Sequence, residues 1–225
     1  MKEKREYVQH AKRVLKDSLM EKIPYGVIFS GKKFMVLPGV FSPKYFKDTF
    51  IFAEILPELK GKTLLEIGCG TGILSIFSIW KGAKEVTSVD INPKAVINTI
   101  ENVKIHNLSK WIKVKESDIF SSISDKFDVI LWNFPFLHIN NNQVTLHEKM
   151  VFDPNYKELK RFVSLSDNYL NKEGFLLIGF SPEIGHIDKL KSILNENGFE
   201  MALISKKKSE KVSFELFKAT KKINS

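Results

Sequence analysis

Leu64-Leu65-Glu66-Ile67-Gly68-Cys69-Gly70-Thr71-Gly72-Ile73-Leu74 decides the fold of this chain. An apolar run of strand length enters a turn with glycine at every second position, and an apolar helix follows. Glycine belongs where a turn needs positive φ or where a ligand must approach the backbone closely. A strand–glycine turn–helix unit of this kind opens a doubly wound sheet, with ligands bound at the carboxyl ends of its strands. Glu66 stands at the end of the strand, placed to face a cationic group.

The pattern around this unit is strand–helix alternation. Strands are expected at Thr63–Ile67, Glu85–Asp90, Ile112–Lys115, Phe127–Trp132, Phe175–Phe180, Phe199–Ser205 and Val212–Thr220. Helices are expected at Gly72–Lys81, Pro93–Asn107, Asn155–Leu170 and Ile184–Asn197. Asn92 caps the second of these with Pro93 in its first turn, and Ser181-Pro182-Glu183 is read as the opening of the last. The fold class is therefore α/β, a doubly wound, seven-stranded, mostly parallel sheet. Upstream, Lys2–Met20 repeats its apolar residues at helical spacing and Pro24 ends it. Val27-Ile28-Phe29 and Phe34-Met35-Val36 flank Ser30-Gly31-Lys32-Lys33 as a hairpin, and a further helix spans about Phe46 to Leu59. Residues 1–45 thus read as a helix–hairpin extension of a domain covering 46–225.

Two polar positions complete the ligand reading. Asp90 ends the second strand, 20 residues beyond Gly70, where a carboxylate can accept both hydroxyls of a ribose. Ile91 lies beside it, and Ser117-Asp118, just past the third strand, can hydrogen-bond an adenine edge. A nicotinamide cofactor is the rival reading, but its fingerprint is G-x-G-x-x-G, whereas Gly68, Gly70 and Gly72 form G-x-G-x-G with an acid two residues before.

That spacing resembles the first motif of class I S-adenosylmethionine-dependent methyltransferases, over roughly residues 61–205. The resemblance implies a Rossmann-like methyltransferase domain and S-adenosyl-L-methionine as cofactor. It implies that the glycine loop with Glu66, Gly68, Cys69, Gly70 and Gly72 wraps the methionine part, that Asp90 holds the ribose, and that Asp118 meets adenine. Asn133-Phe134-Pro135-Phe136 follows the apolar strand Val129-Ile130-Leu131-Trp132 and looks like the [D/N/S]-P-P-[Y/F] motif of amino-group methyltransferases, with Phe134 in place of the first proline. The residue types suit a nitrogen whose lone pair is delocalised into a π system. If the Asn133 carbonyl and a backbone carbonyl near Phe134 or Pro135 accept its N–H bonds, the nitrogen can pyramidalise toward the methyl group while Phe136 stacks on the acceptor plane. Pro38-Gly39-Val40-Phe41-Ser42-Pro43 with Asp48-Thr49 resembles a segment of the methyltransferase small domain group. That group includes enzymes acting on release-factor glutamine and on ribosomal RNA guanine. In it the segment covers the cofactor, which makes Phe41 and Thr49 pocket residues. His138 stands one position out of register for a catalytic role, and His147-Glu148 falls in a polar loop, Asn140–Lys149.

Composition bounds the partners. The formal net charge is +9. Residues 1–62 carry 13 Lys or Arg against 7 Asp or Glu, residues 63–205 carry 15 against 17, and residues 206–225 carry 7 against 2. The excess sits at the two ends, where it suits an anionic partner such as RNA. Only Arg5, Arg13 and Arg161 are arginines, the residue that dominates specific phosphate and base contacts, so a solvated lysine surface is the plainer reading. Cys69 is the one cysteine, which excludes an internal disulfide and fits a reducing, cytoplasmic setting. No apolar stretch follows the basic start, so no signal peptide is expected, and no run spans a membrane. No His/Cys/Asp/Glu cluster has metal-ligand spacing. The acceptor is open between a protein or peptide glutamine, an RNA base and a small molecule. A cofactor-binding module without turnover is the non-enzymatic alternative.

Overall fold

The computed structural model describes residues 2–139, 143–209 and 212–222. The chain opens with helix α1 (Lys2–Ser18), then a hairpin of β1 (Tyr25–Phe29) and β2 (Lys32–Val36) turning at Ser30-Gly31. Next come α2 (Asp48–Ile55), β3 (Thr63–Ile67), α3 (Ile73–Trp80), β4 (Glu85–Asp90), α4 (Pro93–Ile105), β5 (Ile112–Glu116) and β6 (Phe127–Trp132). The remainder is α5 (Lys157–Ser166), β7 (Leu170–Phe180), α6 (Ile187–Glu196), β8 (Phe199–Ser209) and β9 (Val212–Lys221). The main sheet has seven strands in the order β5-β4-β3-β6-β7-β9-β8. Five of them run parallel, and β9 enters antiparallel to both neighbours.

From β3 the chain winds outward through β4 and β5, then crosses back to place β6 on the other side of β3. This is the topological switch point, where the carboxyl ends of adjacent parallel strands part and leave a crevice. Ile67, Asp90 and Trp132 end β3, β4 and β6 on that edge. The central strands are near-continuous apolar runs because helices cover the sheet. The α3 helix, Ile73-Leu74-Ser75-Ile76-Phe77-Ser78-Ile79-Trp80, is apolar nearly all round and accordingly buried from Ile73 to Ser78. The α5 helix shows the ordinary amphipathic spacing, with Leu159, Phe162, Val163 and Ser166 inward.

The expected elements all form, with shifted ends. The last expected helix begins at Ile187 rather than near Ile184, because Ser181–Gly185 closes as a turn, with the Ile184 and Gly185 amides donating to the Ser181 carbonyl. The fifth strand starts at Leu170, before its apolar run, since Leu170 pairs with Phe127 through a bulge.

The hairpin rests on the domain through aromatic contacts. Phe29 packs on Phe50 and Phe77 at 4.3 and 5.0 Å, and Phe34 is wholly buried beside Phe77, Trp80 and His106. A row of buried uncharged polar residues on α4 completes the attachment. Asn98 accepts from the Leu37 amide and donates to the Met35 carbonyl, at 2.7 and 2.8 Å. Asn102 accepts from the Met35 amide at 2.7 Å and donates to the carbonyls of Met35 and Thr71 at 2.8 Å. A buried amide that loses its partner costs about 1–3 kcal/mol, and each backbone group it served adds to that. Asn102→Ala should therefore lower unfolding free energy by about 2–4 kcal/mol in urea titration of the ligand-free protein, with a reduced midpoint and an unchanged slope.

Candidate active site

One large cavity, about 1380 Å³, opens at the switch point. Pockets for a single small ligand run to roughly 300–1,000 Å³, so this one has room for two reactants side by side. The glycine turn forms one wall. Gly68, Gly70 and Gly72 have φ of 66°, 53° and 76°, the left-handed region that a side chain resists. A Cβ on Gly70 would meet nothing within 4 Å, so that glycine faces open cavity. A Cβ on Gly72 would come within 2.7 Å of Thr99, so Gly72 serves close packing on α4 and does not line the cavity. The Thr99 hydroxyl hydrogen-bonds the Gly70 carbonyl at 3.1 Å and the Cys69 sulfur at 3.2 Å.

Carboxylates form the floor. Asp90 accepts the Gly70 amide at 2.9 Å and the Asn92 amide at 2.9 Å, so the end of β4 and the turn after β3 share one side chain. Burial raises its pKa. Asn92 caps α4 through the Lys94 amide, and its NH2 reaches the Gly39 carbonyl at 3.0 Å, which ties the 38–43 segment to the same corner. Glu66 lies buried and lines the cavity; it accepts from Ser75 Oγ, which sits 2.5 Å from Ser88 Oγ. Burial lifts Glu66 to about 8, the Ser75 hydrogen bonds offsetting part of the shift and the Asp90 charge adding to it. Burial, with Asp90 and Glu66 adding, also pushes the Cys69 thiol well up, so the thiol is neutral and a poor nucleophile.

Across the cavity, Asn133, Pro135 and Phe136 line the wall after β6. Asn133 Nδ2 donates to Asp48 Oδ2 at 2.9 Å, whereas Asn133 Oδ1 is buried without a hydrogen-bond partner among the described residues. Burial raises Asp48 to about 6. Phe134, at the place of the motif's first proline, also borders the cavity, but mostly from behind. Its ring is 1% exposed and packs among Trp132, Phe136, Tyr156 and Phe180. Phe41, Thr49 and Ile91 line the cavity too, with Phe41 stacked on Phe46 at 4.7 Å.

Several expected roles are altered by this geometry. The Ser117 hydroxyl donates to the Ile119 carbonyl and accepts the Ser122 amide, so it braces its own turn instead of reaching for a base. Asp118 is held in a two-point ion pair by Arg161, at 3.1 and 3.2 Å, and Arg161 also binds Glu158. His138 lies outside the cavity wall; its Nδ1 accepts from the Asn155 amide at 3.1 Å. Asn140–Asn142 lie outside the described residues, but His147-Glu148 belongs to an ordered turn, where Thr145 and Glu148 exchange capping hydrogen bonds of 2.9–3.2 Å. Residues missed from sequence include Asp48 as the partner of Asn133, Arg161, and the face of α1. Tyr7, His10, Ala11 and Val14 of that helix line the cavity, and Ala11 and Leu15 seat it on Leu137, Val151 and Phe152.

The family model named methyltransferase small domain matches residues 31–208. The chain belongs to that family. It is thus an S-adenosylmethionine-dependent methyltransferase, as the glycine turn implied. A protein of Methanocaldococcus jannaschii, provisionally named a protein N5-glutamine methyltransferase, is 36% identical over 185 residues, covering 79% of this chain and 90% of its own. The ribosomal RNA small subunit methyltransferase C of Vibrio vulnificus is 32% identical over 68% of this chain, which spans only 42% of that longer enzyme. Among solved structures, the Thermus thermophilus 16S rRNA N2 G1207 methyltransferase, in complex with the cofactor and guanosine, superposes with a TM-score of 0.60 at 20% identity over 88% of this chain and 50% of that one.

The residues present suit the cofactor. Gly70 faces open space, the acids on the floor would favour a cation, and Asp90 offers oxygens to hydroxyls. A native pKa of about 8 against 4.5 in the unfolded chain means that the folded protein binds Glu66's proton more tightly. Its stabilisation is complete below about pH 4.5 and is lost as pH rises through about 8. Thermal midpoints of the ligand-free protein should therefore fall from about pH 5 to pH 8, and Glu66→Gln should flatten that fall by a few kcal/mol at its fullest.

Proposed function

We propose that this methyltransferase acts on the nitrogen of a planar amide, the side chain of a protein glutamine, in the cytoplasm. The observation that carries the reading is the orphaned Asn133 carbonyl. A buried acceptor without a partner costs about 1–3 kcal/mol and is retained where a ligand supplies the missing donor. An N–H of the acceptor is that donor. The homologue aligned over 90% of its length carries a glutamine-N5 name, and a Fusobacterium nucleatum release factor glutamine methyltransferase is 29% identical over 79% of this chain.

The chain's residues divide the cavity between two reactants. The turn from Gly68 to Gly70 would hold the methionine part, Glu66 would sit near its cationic end, and Asp90 would grip the ribose. Asp118 and Ile91 would border the adenine, with Arg161 fixing the Asp118 carboxylate. When bound, S-adenosylmethionine supplies an electrophilic methyl carbon on a sulfonium sulfur. Asn133 Oδ1 accepts one acceptor N–H, and a backbone carbonyl near Phe134 or Pro135 accepts the other. Phe136 walls the amide plane, so the nitrogen presents its lone pair along the line of attack. Transfer would exchange the C–S bond for a C–N bond on the acceptor, with the nitrogen's proton leaving to water.

The second reading is an RNA base. The positive charge at the two chain ends and the ribosomal RNA relative favour it. Tritiated cofactor incubated with lysate split into RNA, protein and metabolites separates the two, the label being expected on protein glutamine. In the same assay Asn133→Ala should bind cofactor normally by calorimetry and transfer methyl on the order of 10²–10³ more slowly. Full transfer by that variant would remove the acceptor-site reading.

A further inference from the structure

Asp48 and Asn133 stand 85 residues apart in sequence and meet at the cavity wall. An asparagine amide is nearly symmetric in shape, so only its hydrogen bonds decide which way the carbonyl points. Here Nδ2 is drawn to Asp48 Oδ2 at 2.9 Å, and Oδ1 is left buried with no partner among the described residues. An ionised carboxylate accepts and cannot donate. A serine, threonine or asparagine at position 48 could do either, and would satisfy Asn133 in both orientations. Asp48 stands in the first turn of α2, where the nearby amides of Asp48 and Thr49 and the helix dipole favour negative charge.

We infer that Asp48 is a positioning residue for methyl transfer: by accepting from Asn133 Nδ2 it turns the Asn133 carbonyl toward the acceptor nitrogen. This rests on the amide-nitrogen reading above. Asp48 does not touch the reacting atoms; it acts through Asn133. Protonating Asp48 makes it a potential donor, which can hydrogen-bond the Asn133 carbonyl and release the amide to turn. The other charged and titratable groups that face the cavity, among the described residues, are Tyr7 and His10 on α1, Tyr45 and Lys47 ahead of α2, Glu66 on β3 with Cys69 after it, Asp90 on β4, Asp118 after β5, Lys149 and Asp153 ahead of α5, and Lys157, Glu158, Lys160 and Arg161 on α5. Burial, offset by the hydrogen bonds already named, accounts for the position of Asp48 near 6. Transfer should therefore fall as pH drops through about 6.

The test compares wild type, Asp48→Asn, and the exchanged pair Asp48→Asn with Asn133→Asp. Loss of a partner that orients a functional side chain typically costs about 10- to 100-fold in rate. Asp48→Asn should show that loss in kcat, keep wild-type affinity for S-adenosylmethionine, and lose the acid limb of the pH profile. The exchanged pair restores an acceptor-only oxygen with the roles reversed, and should recover transfer above Asp48→Asn alone. Wild-type turnover with an unchanged pH profile in Asp48→Asn would overturn the inference, as would a loss of cofactor affinity equal to the loss of rate. An arm without acceptor follows the Asn133 side-chain amide by NMR in the ligand-free protein. Its resonances should titrate near pH 6 in wild type and not in Asp48→Asn; resonances that stay still in wild type would overturn the inference. If wild type methylates no glutamine yet this titration is seen, the acceptor assignment fails while the Asp48–Asn133 orientation stands.

Discussion

Three uncharged side chains on one face of α4 hold the molecule's two working parts together. Asn98 and Asn102 grip the backbone of β2 and the residue after it, and Thr99 and Asn102 grip the carbonyls of Gly70 and Thr71. The glycine turn thus has its position set from behind, while its other face stays open to the cavity. The three side chains are wholly buried, where an unmet polar group is expensive, so losing one of them is costly. None of these three side chains titrates, so this part of the turn's support does not depend on pH, unlike the Gly70 amide's bond to Asp90. The same helix begins at Asn92, which reaches Gly39, so one element sets the relation of the 38–43 segment to the turn as well.

The parts legible in the sequence were those whose cause is local. Periodicity and glycine spacing marked the strands, the turn and the helix after it, since those follow from backbone sterics over a few residues. Asn92 with Pro93 announced the start of α4 for the same reason. Contacts made across long separations were not legible. Nothing near Asn98 or Asn102 marks them as ligands of β2, more than 60 residues away. Asp118 read as a free carboxylate because its partner, Arg161, lies 43 residues on. Asp48 was visible in a motif yet had no role until Asn133 was placed against it. The face of α1 toward the cavity was hidden by its amphipathic pattern, which predicts burial without saying what it will be buried against.

Phe134 shows how a departure from a family pattern can be absorbed. A proline there would stiffen the loop by fixing φ. The phenylalanine reaches the same end through packing, with its ring closed in by Trp132, Phe136, Tyr156 and Phe180. Tyr156 reinforces the arrangement by donating its hydroxyl to the Phe136 carbonyl at 2.9 Å and accepting the His186 amide at 2.8 Å. Asn155 and Tyr156 both sit at positive φ, 56° and 51°, each at a cost on the order of 1–2 kcal/mol for a residue with a side chain. Complete burial of Tyr156 and its two hydrogen bonds offset that cost and close-pack the wall behind Pro135 and Phe136.

The charge of the cavity bears on which nucleotide it can hold. Asp48, Glu66, Asp90 and Asp153 all line it, and burial raises the pKa of each. A dinucleotide cofactor would bring a doubly negative pyrophosphate to the turn after β3, beside Asp90, and would make ionising Glu66 costlier still. Such a site needs amides and a helix N-terminus with no competing acid. Here the Gly70 amide is already donated to Asp90. A sulfonium nucleoside brings positive charge and no phosphate to the same corner, and its presence would lower the cost of ionising Glu66. The acid two residues ahead of the glycines, which first separated the two readings by spacing alone, separates them again by electrostatic sign.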